Sequence, residues 1–241
     1  VRAFLLVRDD REFLCHPGEE LHTDLGVVDV PEDPDRGQVV ETHLGEAFTV
    51  RSLRGPDLFD HLERTGAPMM PKDIGIVVGE TGAAADDRVL DAGTGTGVLA
   101  AYLGRLGADV LTFEARAEFA DVARENMVLA GVEDAVEVRA GDVTEELDEL
   151  GSFDLVTLDT ADAPDVVARL DEHLVAGGYV AVYSPFVENA RASHEAAEAA
   201  GLADVDTIET IQRAMDFDER GSRPSTRGVG HTGYLTFARK P

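Results

Sequence analysis

The sequence predicts an α/β fold, a doubly wound, mostly parallel seven-stranded sheet preceded by a small β domain, and three observations predict it. From residue 83 onward, short apolar strands alternate with amphipathic helical segments, the pattern of a parallel sheet with helices on both faces. The first sixty or so residues instead show short strands broken by turn residues. A length of 241 residues, with 44% hydrophobic and 29% charged side chains, gives room for one large α/β domain, or for one of about 150 to 180 residues with a small partner. No apolar run approaches the roughly 18 residues that a membrane span requires.

In the first part, AFLLV (3–7), LGVVDV (25–30), QVVET (38–42) and AFTVRSL (47–53) read as strands. A polar stretch and a Pro/Asp/Gly turn at 31–37 separate them. A short amphipathic stretch, Leu58, Phe59 and Leu62, leads into GAPMMPKDIGIVV, where Pro68 and Pro71 interrupt regular structure before a helix begins. The expected division is therefore a β domain at 1–62, a connection at 63–82 and an α/β domain at 83–241. In that last part RVLDAG, ADVLTFE, AVEVRAGD, SFDLVTLD and GGYVAVYSP read as strands. Helices are expected at 98–107, 117–131, 162–174 and 187–201, from their apolar periodicity. The last strands, around 205–211 and 232–238, are separated by a Gly/Arg/Ser-rich loop with no helix, which predicts an antiparallel pair at one end of the sheet.

Charge sets the chain apart: 21 basic residues against 48 acidic ones leave a formal net of -27. Only Lys72 and Lys240 are lysines, so 19 of the basic residues are arginines. Acids spread over the whole chain suit a surface that stays hydrated in concentrated salt, where ions screen its self-repulsion. The exception is 220–241, which carries Arg220, Arg223, Arg227, Arg239 and Lys240 and no acid, a candidate contact for phosphate. The single cysteine, Cys15, cannot form an internal disulfide, and the VRAFLLVRDD terminus lacks a signal-peptide pattern, so a cytoplasmic protein is expected. One cysteine and seven scattered histidines offer no zinc-like ligand spacing, so no metal is expected.

The first strand of the α/β part runs into Asp91-Ala92-Gly93-Thr94-Gly95-Thr96-Gly97, with a helix starting at about Val98. Glycines permit a tight turn and close backbone approach, and the helix start presents unpaired N–H groups to a ligand. The third glycine follows at two residues rather than three, and an acid precedes the first, so a dinucleotide fingerprint is not matched. An acid there suits a cationic or amine-bearing ligand. Glu114 ends the second strand, where an acid can accept both ribose hydroxyls, and Asp142 closes the third. The fourth strand delivers Asp159 to the carboxyl edge of the sheet, where such folds hold their reacting groups.

The glycine-rich loop, ribose acid and third-strand acid resemble the S-adenosyl-L-methionine site of the class I methyltransferases, which implies Asp91, Gly93, Thr94, Gly95, Thr96, Gly97, Glu114, Asp142 and Asp159 as its binding set. With PKDIGIVV (71–78), TFEAR and RPSTRGVGHTGYL (223–235), nearly the whole chain resembles the tRNA (adenine-N1)-methyltransferases that modify the T loop. The acidic composition is similar to that of haloarchaeal members. The resemblance implies methylation of N1 of T-loop adenine, at position 57, position 58 or both, and a homotetramer; with no spanning apolar run, no membrane partner is expected. It makes Asp159 the catalytic aspartate that holds the adenine amino group and orients N1. Met70, Lys72, Tyr183, Arg223 and His231 follow from it as substrate-binding candidates, with Arg223 the candidate for a phosphate.

The chain departs from the family pattern at Met70, where an aromatic residue or histidine is usual, at Ala67, and in LDTADAP, where Ala161 and Pro164 stand for a proline and a tryptophan. With no tryptophan in the chain, Phe186, Tyr183 and Met70 are the alternatives for a surface on which adenine could stack. Two other functions are compatible with the residues: a methyltransferase acting on a small molecule such as a corrinoid precursor, and a noncatalytic tRNA-binding subunit.

Overall fold

Alternating residues organise the first sheet, which in the computed structural model has the order β2-β1-β6-β5. The structure describes residues 3–228 and 230–241; Val229, inside the RPSTRGVGHTGYL motif, lies outside the described residues, as do 1 and 2. Strands β1 (Phe4–Arg8) and β2 (Arg11–Cys15) form a hairpin whose two-residue turn places Asp9 at φ 54. Strands β3 (Glu20–Thr23) and β4 (Gly26–Asp29) form a separate ribbon, and β5 (Val39–Glu41) and β6 (Ala47–Ser52) complete the sheet. The stretch expected to be merely polar thus contains β2 and β3. Strand β3 has one apolar residue and the three of β2 are contiguous rather than alternating, so strand pairing rather than sequence pattern organises them. One face of this sheet buries Phe4, Leu6, Val28, Phe48 and Val50, and the other buries Ala3 and Leu5 against Leu129 of the second unit.

Helix α1 (Gly55–His61) begins at a capping box in which the Arg54 N–H donates to Asp57 Oδ2 at 2.6 Å. Helix α2 (Pro71–Thr81) has Pro71 in its first turn, where a missing N–H costs nothing, and ends at Gly82 in the left-handed region. From here strand and helix alternate: β7 (Arg88–Ala92), α3 (Val98–Leu106), β8 (Asp109–Glu114), α4 (Ala117–Ala130), β9 (Val136–Ala140) and α5 (Val143–Glu146). Then come β10 (Phe153–Leu158), α6 (Ala163–Val167), β11 (Leu174–Ser184), α7 (Val187–Ala199) and β12 (Ala203–Glu209). Helix α6 is shorter than the expected 162–174, because the chain turns from 168 to 173 and Leu174 already pairs with Phe153 in the sheet.

The seven-stranded sheet has the order β12-β15-β11-β10-β7-β8-β9, with β15 (Tyr234–Arg239) antiparallel to both neighbours and the other pairs parallel. Side chains alternate across it: Val89 and Leu155 join a core with α1 to α4, while Leu90 and Val156 join one with α5 to α7. Consecutive strands diverge from β7, with β8 on one side and β10 on the other, so a crevice opens at the carboxyl ends of these central strands. The expected Gly/Arg/Ser-rich loop between β12 and β15 contains a hairpin, β13 (Met215–Asp218) and β14 (Gly221–Pro224). Its residues are mostly exposed, so no core pattern announces it. No helix of the described residues is long and apolar enough to cross a membrane.

Candidate active site at the carboxyl edge of the sheet

A cavity of about 380 Å³ opens at the carboxyl ends of β7, β8, β9 and β10. Asp91, Gly93, Thr94, Gly95, Thr96, Gly97, Glu114, Asp142 and Asp159 all line it. Four strand ends, those of β7, β8, β9 and β10, and the starts of α3 and α5 thus converge on one volume.

Gly93 is required by the approach of β7 to β10. The Asp159 N–H donates to the Ala92 carbonyl at 2.8 Å, and a Cβ on Gly93, at φ 88, would overlap the Asp159 carbonyl oxygen. Gly93→Ala is therefore expected to lower unfolding free energy by about 3 kcal/mol or more, combining left-handed strain with a backbone clash. Urea unfolding checks this, and a loss under about 1 kcal/mol would show that the two strand ends can separate freely.

Strand register builds the support beneath the loop. Asp91 sits level with Thr112 on β8 and Thr157 on β10, and each threonine hydroxyl donates to one carboxylate oxygen at 2.5 Å. Because the Thr112 hydrogen goes to Asp91, the Thr94 hydroxyl donates to Thr112, also at 2.5 Å. Burial pushes the Asp91 pKa up, against the lowering effect of both hydroxyls. Glu114 accepts the Gly95 N–H at 2.9 Å and the Arg116 N–H at 3.1 Å, so it shapes the glycine loop while keeping free lone pairs for a ligand. Asp142 caps α5, its Oδ1 accepting both the N–H and the hydroxyl of Thr144 at 2.8 and 2.7 Å.

Asp159 is perturbed in the same direction as Asp91. Burial, followed by the charges of Asp91 and Glu114, pushes its pKa up to about 7. The four carboxyl side chains of Asp91, Glu114, Asp142 and Asp159 around one small volume favour a ligand that brings positive charge.

Several residues that the sequence did not mark as site candidates complete the site. The connection between α1 and α2 covers the glycine loop, and Thr65, Gly66, Ala67, Pro68 and Met69 line the cavity. Asn126 of α4, wholly buried, fastens that connection: its amide donates to the carbonyls of Glu63 and Thr96 at 2.9 Å and accepts the Glu63 N–H at 3.0 Å. The Thr65 Oγ1 is buried without a hydrogen-bond partner, a free polar group at the cavity wall. Thr157 and Asn126 carry no motif, and TFEAR gives Thr112 no role of its own; only the knowledge of which elements are neighbours could have singled them out.

The five substrate-binding candidates do not line the cavity. Four gather where the 210–233 segment leaves and rejoins the sheet. The Lys72 ammonium donates to Asp73 Oδ1, the Thr210 carbonyl and the Thr232 hydroxyl at 2.6, 2.8 and 2.8 Å, and Thr232 donates onward to Asp73 Oδ2 at 3.0 Å. The Met70 carbonyl accepts the N–H groups of Asp73 and Ile74 at the start of α2. Tyr183 donates to the Thr232 carbonyl at 2.6 Å, and its pKa is pushed up to about 12 by burial and then by the charges of Asp73 and Asp159. His231 faces acceptors at both ring nitrogens, Glu209 at 2.6 Å and the Pro185 carbonyl at 3.0 Å, and the second, then the first, hold its pKa above the ordinary value. Arg223 stands apart on exposed β14, opposite Asp216.

Residues 59–221 match the family model described as the tRNA methyltransferase complex GCD14 subunit. The chain is 34% identical over 264 residues to the tRNA (adenine(57)-N(1)/adenine(58)-N(1))-methyltransferase TrmI of Methanocaldococcus jannaschii, covering 97% of this chain and 93% of that protein. Thermus thermophilus tRNA (adenine(58)-N(1))-methyltransferase TrmI is 28% identical over 207 residues, 85% of this chain and 81% of that one. Among solved structures, an S-adenosylmethionine-dependent O-methyltransferase of Thermotoga maritima superposes with a TM-score of 0.81 at 27% identity, covering 99% of this chain and 92% of its own.

Proposed function

This chain belongs to the GCD14 family of tRNA methyltransferases, and from that premise we propose that it transfers a methyl group from S-adenosyl-L-methionine to N1 of T-loop adenine in tRNA, at both position 57 and position 58. The observation that carries the reading is the convergence of the glycine loop, Glu114, Asp142 and Asp159 on one anionic cavity. These residues fit the cofactor: the glycine loop, whose Gly93, Thr94, Gly95 and Gly97 N–H groups are held by Phe113, Glu114 and Thr94, lets a ligand approach its backbone closely, Glu114 keeps acceptor capacity for ribose hydroxyls, and Thr65 Oγ1 is an unpartnered polar group beside them. When bound, S-adenosyl-L-methionine supplies an electrophilic methyl group on a cationic sulfur. Adenine N1 carries a lone pair at neutral pH, so no base is needed to create the nucleophile, and positioning and electrostatics suffice. Asp159 accepts a hydrogen bond from the adenine amino group, aims N1, and stabilises the positive charge that the ring gains on methylation. Asp91, braced by Thr112 and Thr157, adds negative charge from beneath the loop.

The same reading keeps the division into a β domain at 1–62, a connection at 63–82 and a catalytic domain at 83–241. It also includes a homotetramer, supported by the apolar residues Met215 and Phe217, 47% and 76% exposed on one face of the β13–β14 hairpin. The net charge of -27 with acids throughout supports operation in concentrated salt in the cytoplasm of a halophile, where Arg223 and its neighbours supply the phosphate contacts.

The test is incubation of the protein with labelled S-adenosyl-L-methionine and unmodified tRNA in molar KCl, followed by nucleoside analysis. The expected product is 1-methyladenosine at positions 57 and 58. Measurable cofactor binding without that nucleoside would overturn the reading in favour of another substrate or a partner-dependent subunit.

A further inference from the structure

An adenine drawn out of a folded tRNA loop loses its stacking neighbours, and enzymes that act on an extruded base return that stacking through an aromatic or apolar side chain. Asp159 can hydrogen-bond the base edge but offers no face. The described aromatic residues near the carboxyl edge are nearly all committed elsewhere. Phe113 is buried in the sheet. Phe119 lines the cavity, and the Arg116 guanidinium covers its ring at 3.5 Å. Tyr183 is held by its bond to the Thr232 carbonyl, with Gly233 packed against its ring, and the Tyr234 ring lies 5.0 Å from that of His231.

Phe186 is different. It stands between β11 and α7 with 69% of its surface exposed, beside Val187 at 54%. Strands β10 and β11 run parallel with Leu158 level with Val182, so Phe186 follows its strand end on the edge where Asp159 and Thr160 follow theirs. The Asn189 amide, in the first turn of α7, donates to the carbonyl of Thr160 at 3.4 Å, and Thr160 lines the cavity. The backbone just before Phe186 is anchored, because His231 Nε2 donates to the Pro185 carbonyl. The result is an uncovered ring, on a tethered turn, beside the rim of the site.

We propose that Phe186 is the stacking surface for the target adenine, a substrate contact that rests on the methyltransferase reading above. Its role is to hold the plane of the base while Asp159 holds the edge, so its loss falls on the tRNA step rather than on cofactor binding.

The experiment compares the wild type with Phe186→Leu, which keeps apolar bulk without a π face, and Phe186→Trp, which keeps the face. Phe186→Leu is expected to lower kcat/KM for tRNA about 10-fold to 100-fold, from the usual worth of one base–aromatic stack, while leaving the Kd for S-adenosyl-L-methionine unchanged. Phe186→Trp restores the rate to within a few-fold of wild type. With 2-aminopurine at the methylated position, fluorescence of the saturated complex is expected to be lower for the wild type than for Phe186→Leu, a signature of ring contact that a folding defect would not mimic. An active wild type together with an equally active Phe186→Leu overturns this inference alone, as does a loss in Phe186→Leu accompanied by weaker cofactor binding. A wild type that makes no 1-methyladenosine overturns the functional reading first, and this inference with it.

Discussion

Asp159→Asn is expected to abolish most of the methyl transfer while making the folded chain more stable at pH 8. On the activity side, asparagine removes the negative charge facing the methylated ring and can turn a donor toward the adenine amino group. Losing one preorganised polar group of this kind costs about 10²-fold to 10³-fold in rate. On the stability side, the folded-state pKa of about 7 lies above the ordinary value of 3.8, so the folded chain holds a proton that the unfolded chain releases between those values. Wild-type stability therefore falls as pH rises through that window, and the full penalty, of order 4 kcal/mol, stands above pH 7. An uncharged asparagine amide carries no such penalty. Urea unfolding of both proteins at pH 8 and pH 5 checks this, and a stabilisation that does not shrink toward acid would show that burial of the charge is not its cause. The same titration predicts that wild-type turnover declines as pH drops below about 7, where the carboxylate that accepts the adenine amino group becomes protonated.

Lys72→Met is expected to destabilise the fold by about 3–5 kcal/mol, because it leaves the Asp73 carboxylate buried without its ion partner. Asp73 is 1% exposed, and the lysine also ties Thr210 and Thr232, the two ends of the 210–233 segment, to α2. Removing the lysine should therefore loosen that segment first, seen as faster amide hydrogen exchange across 210–233. The double variant Lys72→Met with Asp73→Leu should recover much of the loss, since an apolar pair avoids both desolvated charges. Urea unfolding of the two single variants and the double variant measures the coupling. A loss below about 1 kcal/mol in Lys72→Met would mean that the segment is held mainly by Tyr183 and His231.

The cavity was legible in the sequence because its chemistry is local. A strand, an acidic glycine turn and a helix start are contiguous from 88 to 98, and Glu114, Asp142 and Asp159 each end a strand whose apolar run is plain. Parallel strands feeding right-handed crossovers leave little choice about which edge such ends share. The substrate-binding candidates were harder to place for the opposite reason. Lys72, Tyr183 and His231 lie far apart in the chain, and motif alone does not reveal that Thr232 and Glu209 engage them. The β13–β14 hairpin escaped notice because its strands pair with each other and bury almost nothing.

The sequence by itself determined the doubly wound sheet, the glycine loop, and the acids at its carboxyl edge, since hydrophobic period and turn chemistry act over a few residues at a time. Only the tertiary structure decided that Thr112 and Thr157 brace Asp91, that Asn126 fastens the covering loop, that Lys72 bonds Asp73, Thr210 and Thr232, and that Phe186 stands uncovered beside the cavity rim. Those outcomes depend on which strands become neighbours and on what remains unburied once they do, and both are properties of the packed chain rather than of any segment in it.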